Sequence, residues 1–212
     1  MNKSKINYEK QVKKSHYEFN SYMSKQRWCS IWHQINEVQN LLPKNVLEIG
    51  PGTGLFKTVS ANFGIIVETL DLDPELKPDH VCSATDMPFE DATYDVVCAF
   101  QMLEHLPYET ALEAFCEMVR VCKHHVIISL PDARPMWRYQ IHVPKLGPLD
   151  FLLPRPQIKS PVHKFDGEHY WELNKRGYSV TKIITDFTKH INLVRSYHVP
   201  ENPSHRFFIF RR

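Results

Sequence analysis

The stretch from Val46 to Phe56, V-L-E-I-G-P-G-T-G-L-F, restricts what this chain can fold into more than any other. An apolar run, Val46–Ile49, ends in glycines at three alternate positions, Gly50, Gly52 and Gly54. An apolar, helix-compatible segment follows from Leu55 to Phe63. That order reads as a buried parallel strand, a tight turn and the start of a helix. Glycine allows the backbone angles such a turn needs, and its missing side chain lets a ligand approach the main chain. The helix start presents unpaired N–H groups and the positive end of its dipole to an anionic or polar ligand. The turn therefore suits part of a nucleotide-like cofactor. A dinucleotide site asks for G-x-G-x-x-G. Here Leu55 occupies the third glycine position, and Gly54 stands one residue earlier.

Downstream, Ile65–Leu70 reads as a second buried strand, ending in Asp71-Leu72-Asp73-Pro74. An acid at the end of a second strand can accept both hydroxyls of a ribose, and Asp71 falls 21 residues after Gly50, a suitable separation. Asp73 reads as a turn residue before Pro74. The span from Pro74 to Asp79 leaves little room for a helix, so the second crossover is short. His80–Cys82 follows as a short strand, then Ala84-Thr85-Asp86-Met87-Pro88-Phe89 and a fourth strand, Asp95–Phe100. The fourth strand runs into Gln101-Met102-Leu103-Glu104-His105-Leu106. Ala111–Val121 is an amphipathic helix and His124–Leu130 a fifth buried strand.

Three of these segments together resemble the class I S-adenosylmethionine-dependent methyltransferases. They are E-x-G-x-G-x-G with Glu48 in the strand, the acid-Met-Pro-Phe run before a strand opening on aromatic-Asp, and the post-strand Glu-His-Leu. The resemblance spans Val46 to His105 and fades in the second half. It implies a doubly wound, mainly parallel, Rossmann-like seven-stranded α/β sheet, and S-adenosylmethionine as cofactor. By the same resemblance the cofactor meets Glu48, Gly50, Pro51, Gly52, Gly54, Asp71, Leu72 and Phe100. Asp86 accepts from the adenine amino group and Met87 packs on the ring. Glu104-His105 has a second reading, as a helix-start acid with a structural histidine.

The flanks are read around that unit. Residues 1–42 form a helical arm. Within it Ser24 caps a helix running through Asn40, and Pro43 fits the end. Arg27 is the cation of this arm able to meet a ligand carboxylate. Seven cations, Lys3, Lys5, Lys10, Lys13, Lys14, Lys25 and Arg27, face only Glu9 and Glu18 there. This pattern reads as a solvated face more readily than as a nucleic-acid surface. After the fifth strand, seven prolines between Pro131 and Pro161 are expected to break regular structure. The aromatic residues Trp137, Tyr139, Phe151, Phe165, Tyr170 and Trp171 accompany them. An insert at residues 134–170 would sit at the carboxyl edge of the sheet, where open α/β sheets bind ligands, and is read as the acceptor-site cover. Ser179 caps a helix to about Lys189. Asn192–Val199 and Arg206–Arg211 form a closing antiparallel pair.

Methyl transfer asks a protein to align a nucleophile and exclude water, and a hydroxyl or amine acceptor must also lose a proton. His105, His142, His163 and His169 are the candidate bases, with His163, His169 and His105 the preferred set. Asp166 and Glu168 stand ready to orient a ring. The His-Asp-Glu-His run also looks like a metal cluster, but its spacing matches no recognised ligand pattern, so no metal is assigned. His124, His190, His198 and His205 read as surface residues. The expected acceptor is a small molecule or glycan precursor, methylated on oxygen or nitrogen. The competing classes are a methyltransferase of RNA or protein, and a relative that binds the cofactor without transferring methyl. A net charge of +2 and the lack of an appended binding domain favour the small acceptor. The 212 residues, 42% apolar and 24% charged, suit one domain, and the oligomeric state is open. Five cysteines without C-x-x-C spacing, no signal-peptide core and no run of 18 apolar residues point to a cytoplasmic protein without a membrane span.

Overall fold

A computed structural model describes residues 17–157 and 159–212. The basic run from Lys3 to Lys14 lies outside the described residues, as does the first part of the 1–42 arm. The described arm contains α1 (Phe19–Tyr22) and α2 (Lys25–Gln39). Ser24 caps α2 as its position predicts, its side chain accepting from the Arg27 N–H at 3.1 Å. Five parallel strands follow: β1 (Val46–Ile49), β2 (Val67–Asp71), β3 (His80–Val81), β4 (Tyr94–Phe100) and β5 (Cys122–Pro131). Helix α3 (Leu55–Ala61) links β1 to β2, and a short 3-10 turn, Pro74–Leu76, makes the brief second crossover. Helix α4 (Tyr108–Val121) links β4 to β5.

The sheet has seven strands in the order β3-β2-β1-β4-β5-β9-β8. Its last two members, β8 (Asn192–Val199) and β9 (Asn202–Arg211), form an antiparallel pair, and β9 runs against β5. Residues on the central strands alternate between two apolar layers, as the pleat requires. Leu47, Ile49, Val97, Ala99, Val126 and Ile128 pack toward α4 and α5 (Val180–Phe187). Val46, Val96, Cys98 and Ile127 pack toward α2 and α3 with Val38 and Phe56. Helix α2 is held on the far end of the sheet by Glu37, which is buried, pairs with Arg195 and accepts from the Tyr197 hydroxyl at 2.7 Å.

The proline-rich segment is not irregular. Met136–Val143 (β6) and Gly147–Pro154 (β7) form an antiparallel hairpin that joins no strand of the main sheet. In a two-stranded sheet every strand is an edge, so a proline costs no ladder bond if its nitrogen points outward. Pairing sets Trp137 opposite Leu153, Tyr139 opposite Phe151 and Ile141 opposite Leu149, and all six are exposed. The chain leaves β5 at Asp132 and returns at Leu173, where the two segments form an isolated parallel bridge. Asp132 is buried, with Oδ1 accepting from the Asn174 side chain at 2.7 Å and the Arg134 N–H at 2.9 Å. No helix among the described residues is long and apolar enough to cross a membrane.

Phe115 of α4 stacks on Phe187 of α5 at 4.2 Å, and both are fully buried against Phe210 of β9. Phe115→Ala is expected to lower unfolding free energy by about 3–5 kcal/mol in chemical denaturation. A loss below about 1 kcal/mol would show that this layer does not bind α4 and α5 to the sheet.

Candidate active site

Strand order reverses between β1 and β4, and the crevice beyond their carboxyl ends is where an open α/β sheet takes its ligand. The glycine turn forms one wall. Gly50, Gly52 and Gly54 have φ of 71°, 54° and 70°, in the left-handed region. Space matters as much as conformation. A Cβ at Gly50 would lie 2.5 Å from Met102 Cγ, and one at Gly52 would lie 3.1 Å from a ring carbon of Tyr17. Tyr17 and Tyr22 of the arm meet edge to face at 5.1 Å, and the Arg27 guanidinium lies 4.1 Å over the Tyr22 ring. Burial and the neighbouring Tyr22 and Asp71 push the Tyr17 hydroxyl up to about 12.

Gly50 borders two cavities. The first is mainly apolar, with Asp71, Leu72, Ser83, Ala84, Thr85 and Met102 among its walls. This suits a nucleoside, an apolar ring with polar edges. The second has Arg27, Glu48, Gly52, Phe100, Gln101 and His205 among its walls. Arg27 and Glu48 offer opposite charges, which suits the carboxylate and ammonium of an amino acid. Glu48 is 4% exposed, and its Oε2 is buried with no hydrogen-bond partner. Burial pushes its carboxyl up to about 8, with Lys57 opposing the shift. Gln101 follows β4 with φ of 52°, a conformation costly for a non-glycine residue, and its amide donates to Ser129 Oγ at 3.2 Å.

Across the crevice, the returning end of the insert docks on the segment after β4. The Tyr170 N–H donates to the Glu104 carbonyl at 2.9 Å, and the fully buried Trp171 donates its indole N–H to the Leu106 carbonyl at 3.1 Å. These contacts set the His105 and His169 rings edge to face at 4.9 Å. Glu104, His105 and His169 offer ligand atoms within 4.8 Å of one another. Glu104 is fully buried, and burial pushes its carboxyl up to about 8, with Glu172 adding to the rise and Arg27 opposing it.

The sequence matches the methyltransferase-domain family over residues 47–130, a stretch that holds the glycine turn, Asp71 and the Glu-His-Leu run. Over that stretch the chain is similar to methyltransferase domains. Solved structures repeat its fold at low identity. A Pyrococcus horikoshii protein has 13% identity and a TM-score of 0.63 over 94% of this chain and 99% of its own. The Burkholderia thailandensis 1,6-didemethyltoxoflavin-N1-methyltransferase, solved with its substrate and S-adenosylhomocysteine, has 14% identity and a TM-score of 0.61 over 93% and 84%. The Synechocystis magnesium protoporphyrin IX methyltransferase, solved with S-adenosylmethionine, has 13% and 0.57 over 94% and 89%. No curated protein matches the chain.

Several expected site residues take other places. Asp86 is exposed and is not among the residues lining either cavity, while Met87 is buried in the α4 layer, its N–H bonded to Glu117 at 3.0 Å. Ser83 to Thr85 occupy the wall instead. Ser83 comes two residues after β3, nearer its carboxyl end than Asp86, so the carboxyl-end rule applied to that strand selects it. Gly54 caps α3 and borders neither cavity. His163 is a brace: its Nε2 donates to the His169 carbonyl at 2.9 Å. Asp166 orients no imidazole and accepts the backbone N–H groups of Glu168 and His169, whereas Glu172 meets His169 Nδ1 at 3.2 Å. His198 and His205 are not surface residues. His205 borders the second cavity, and burial together with Arg27 pushes it down to about 3. His198 Nε2 lies 3.4 Å from Asp132.

Glu48 gives the site a pH signature. Lys57, Arg27 and Cys98 are the charged or titratable neighbours on α3, α2 and β4. An unfolded glutamate ionises near 4.5 and the folded one near 8, so stability is complete below about 4.5 and is lost as pH rises to 8. Glu48→Gln should remove that slope. Relative to wild type it should gain on the order of a few kcal/mol between pH 5 and pH 8 in denaturation of the ligand-free protein. Parallel stability curves would show that Glu48 is already ionised.

Proposed function

We propose that the chain binds S-adenosylmethionine across the two cavities that meet at Gly50 and transfers its methyl group to a small-molecule acceptor. The observation that carries this reading is the pairing of an apolar wall that includes Asp71 with a second wall bearing Arg27 and Glu48, whose buried Oε2 accepts no hydrogen bond. The residues fit the cofactor. Asp71 would take the ribose hydroxyls, Ser83 and Thr85 the adenine edge, Leu72 and Met102 its faces, Glu48 the ammonium and Arg27 the carboxylate. Pro51, Gly52 and Phe100 would complete the wall. Bound there, the sulfonium would supply a carbon already activated for in-line displacement, its carbon–sulfur bond breaking as the acceptor's new bond forms.

The chain's own task is to hold the acceptor in line, keep water out and take a proton. The arm tyrosines line the second cavity, and His169, set against His105, lies close enough to His205 of that cavity to act on it electrostatically. We assign the removal of the acceptor proton to the pair His105 and His169, with His169 the member within the insert. An acceptor small enough to be covered by this segment, a metabolite or a glycan precursor, fits best, as does a cytoplasmic setting for five free cysteines. The Burkholderia structure offers a parallel, since the acceptor it holds is a small molecule.

Calorimetry should detect S-adenosylhomocysteine binding, weakened by about 1–3 kcal/mol in Asp71→Ala through loss of charge-assisted hydrogen bonds. Undiminished affinity would remove Asp71 from the ribose. With an acceptor in hand, His105→Ala or His169→Ala should lower kcat roughly 10²–10⁴-fold with S-adenosylhomocysteine affinity intact. Rates within a few-fold of wild type in both variants would leave proton removal to solvent.

A further inference from the structure

The Glu104 side chain is out of keeping with its surroundings. It is fully buried, and neither carboxylate oxygen has a hydrogen-bond partner. A buried carboxylate without partners is costly to keep, so its place asks for something that would meet it. Two imidazoles supply the context. His105 is the next residue, and His169 arrives from the insert, with ligand atoms of all three within 4.8 Å of one another. His169 is itself held, since its Nδ1 lies 3.2 Å from Glu172 Oε1, and Glu172 is steadied by Lys175 at 3.4 Å. With Nδ1 so engaged, Nε2 is the ring nitrogen left to a ligand. A carboxylate behind a histidine that offers its other nitrogen is the usual support of a metal-binding imidazole.

We propose that Glu104, His105 and His169 form a binding site for one divalent transition-metal ion of the zinc type. One carboxylate and two imidazoles are a borderline nitrogen and oxygen set that suits zinc, cobalt or manganese better than calcium or magnesium. Small side-chain rotations would close the present spacing to the roughly 3.4 Å between neighbouring ligands of a tetrahedral ion with bonds of about 2.1 Å. Three protein ligands leave a fourth position open, the pattern of a reactive rather than a purely structural site. The second cluster of this kind, Asp166, His169 and Glu172, is weaker, because Asp166 Oδ1 already accepts two backbone N–H groups.

This deepens the functional reading and rests on it only for the ion's task. At the acceptor end of the cleft, an acceptor oxygen drawn to the ion would lose its proton more readily than in water, so the histidine pair would act through the ion rather than as free bases.

The test uses the untagged full chain with cobalt(II) and zinc(II) salts as probes. Wild type should take up one cobalt ion per chain with visible d–d absorption, and zinc should displace it. Glu104→Gln, His105→Ala and His169→Ala should each weaken uptake at least about 10-fold, and Glu172→Gln about 10–100-fold. S-adenosylhomocysteine affinity in each variant reports whether the fold survives. If Glu104→Gln fails to fold, the two histidine variants carry the test. No uptake by wild type at millimolar metal, or uptake undiminished in His105→Ala and His169→Ala, would overturn the site. A wild type that binds cobalt but not S-adenosylhomocysteine would instead overturn the cofactor reading and leave the metal site standing.

Discussion

The backbone's exit from β1 is the constraint on which the rest depends. β1 is hydrogen-bonded on both sides, to β2 and to β4, so its chain leaves the sheet only at its carboxyl end. It leaves through left-handed residues, with Met102 packed so closely behind Gly50 that no side chain fits between them. That contact ties the exit of β1 to the exit of β4, and so fixes how wide the crevice is. The arm lies on the other side of the turn, with Tyr17 against Gly52. A loop gripped from both sides keeps its shape without a ligand, which lowers the ordering cost of binding one.

Buried acids divide this protein into what holds it together and what it does. Asp132 and Glu37 are buried and answered: Asp132 by Asn174, the Arg134 N–H, His198 and Arg206, Glu37 by Arg195 and Tyr197. They fasten the base of the insert and the arm. Glu48 and Glu104 are buried as well; Glu48 Oε2 and both Glu104 oxygens accept no hydrogen bond, and Glu48 borders the second cavity. Asp132 Oδ2 likewise accepts no hydrogen bond but lies within 3.5 Å of His198 and Arg206, so what separates the two kinds is an ion-pairing neighbour rather than burial.

The cofactor half was readable because its signals are local. An apolar run, alternate glycines and an acid at a strand end each say what they are within a few residues, and the seven-stranded sheet follows from their alternation with helices. The acceptor half was not, because its meaning lies in distant contacts. Glu104-His105 and His169 are separated by more than sixty residues and meet only because Tyr170 and Trp171 dock on the segment after β4. His205 looked superficial at the end of a short apolar run, yet β9 begins earlier and carries it into the cleft. The hairpin was hidden by its own prolines, which disqualify a central strand but not an isolated pair of edges. Asp86 is the opposite case, an acid in a plausible motif that the fold leaves exposed.

The excursion between Asp132 and Leu173 starts and ends on one rung of the structure, where the Ala133 N–H donates to the Leu173 carbonyl and the Leu173 N–H to the Pro131 carbonyl, each at 3.0 Å. A loop with its ends clasped in this way can change length at little thermodynamic cost, since closure entropy grows only with the logarithm of length. Its hairpin shares no ladder with the main sheet, so it is separable from the strands that carry the glycine turn. Exchanging only the hairpin, residues 136–154, would change this exposed surface while leaving β1, its glycines and the docked Trp171 in place.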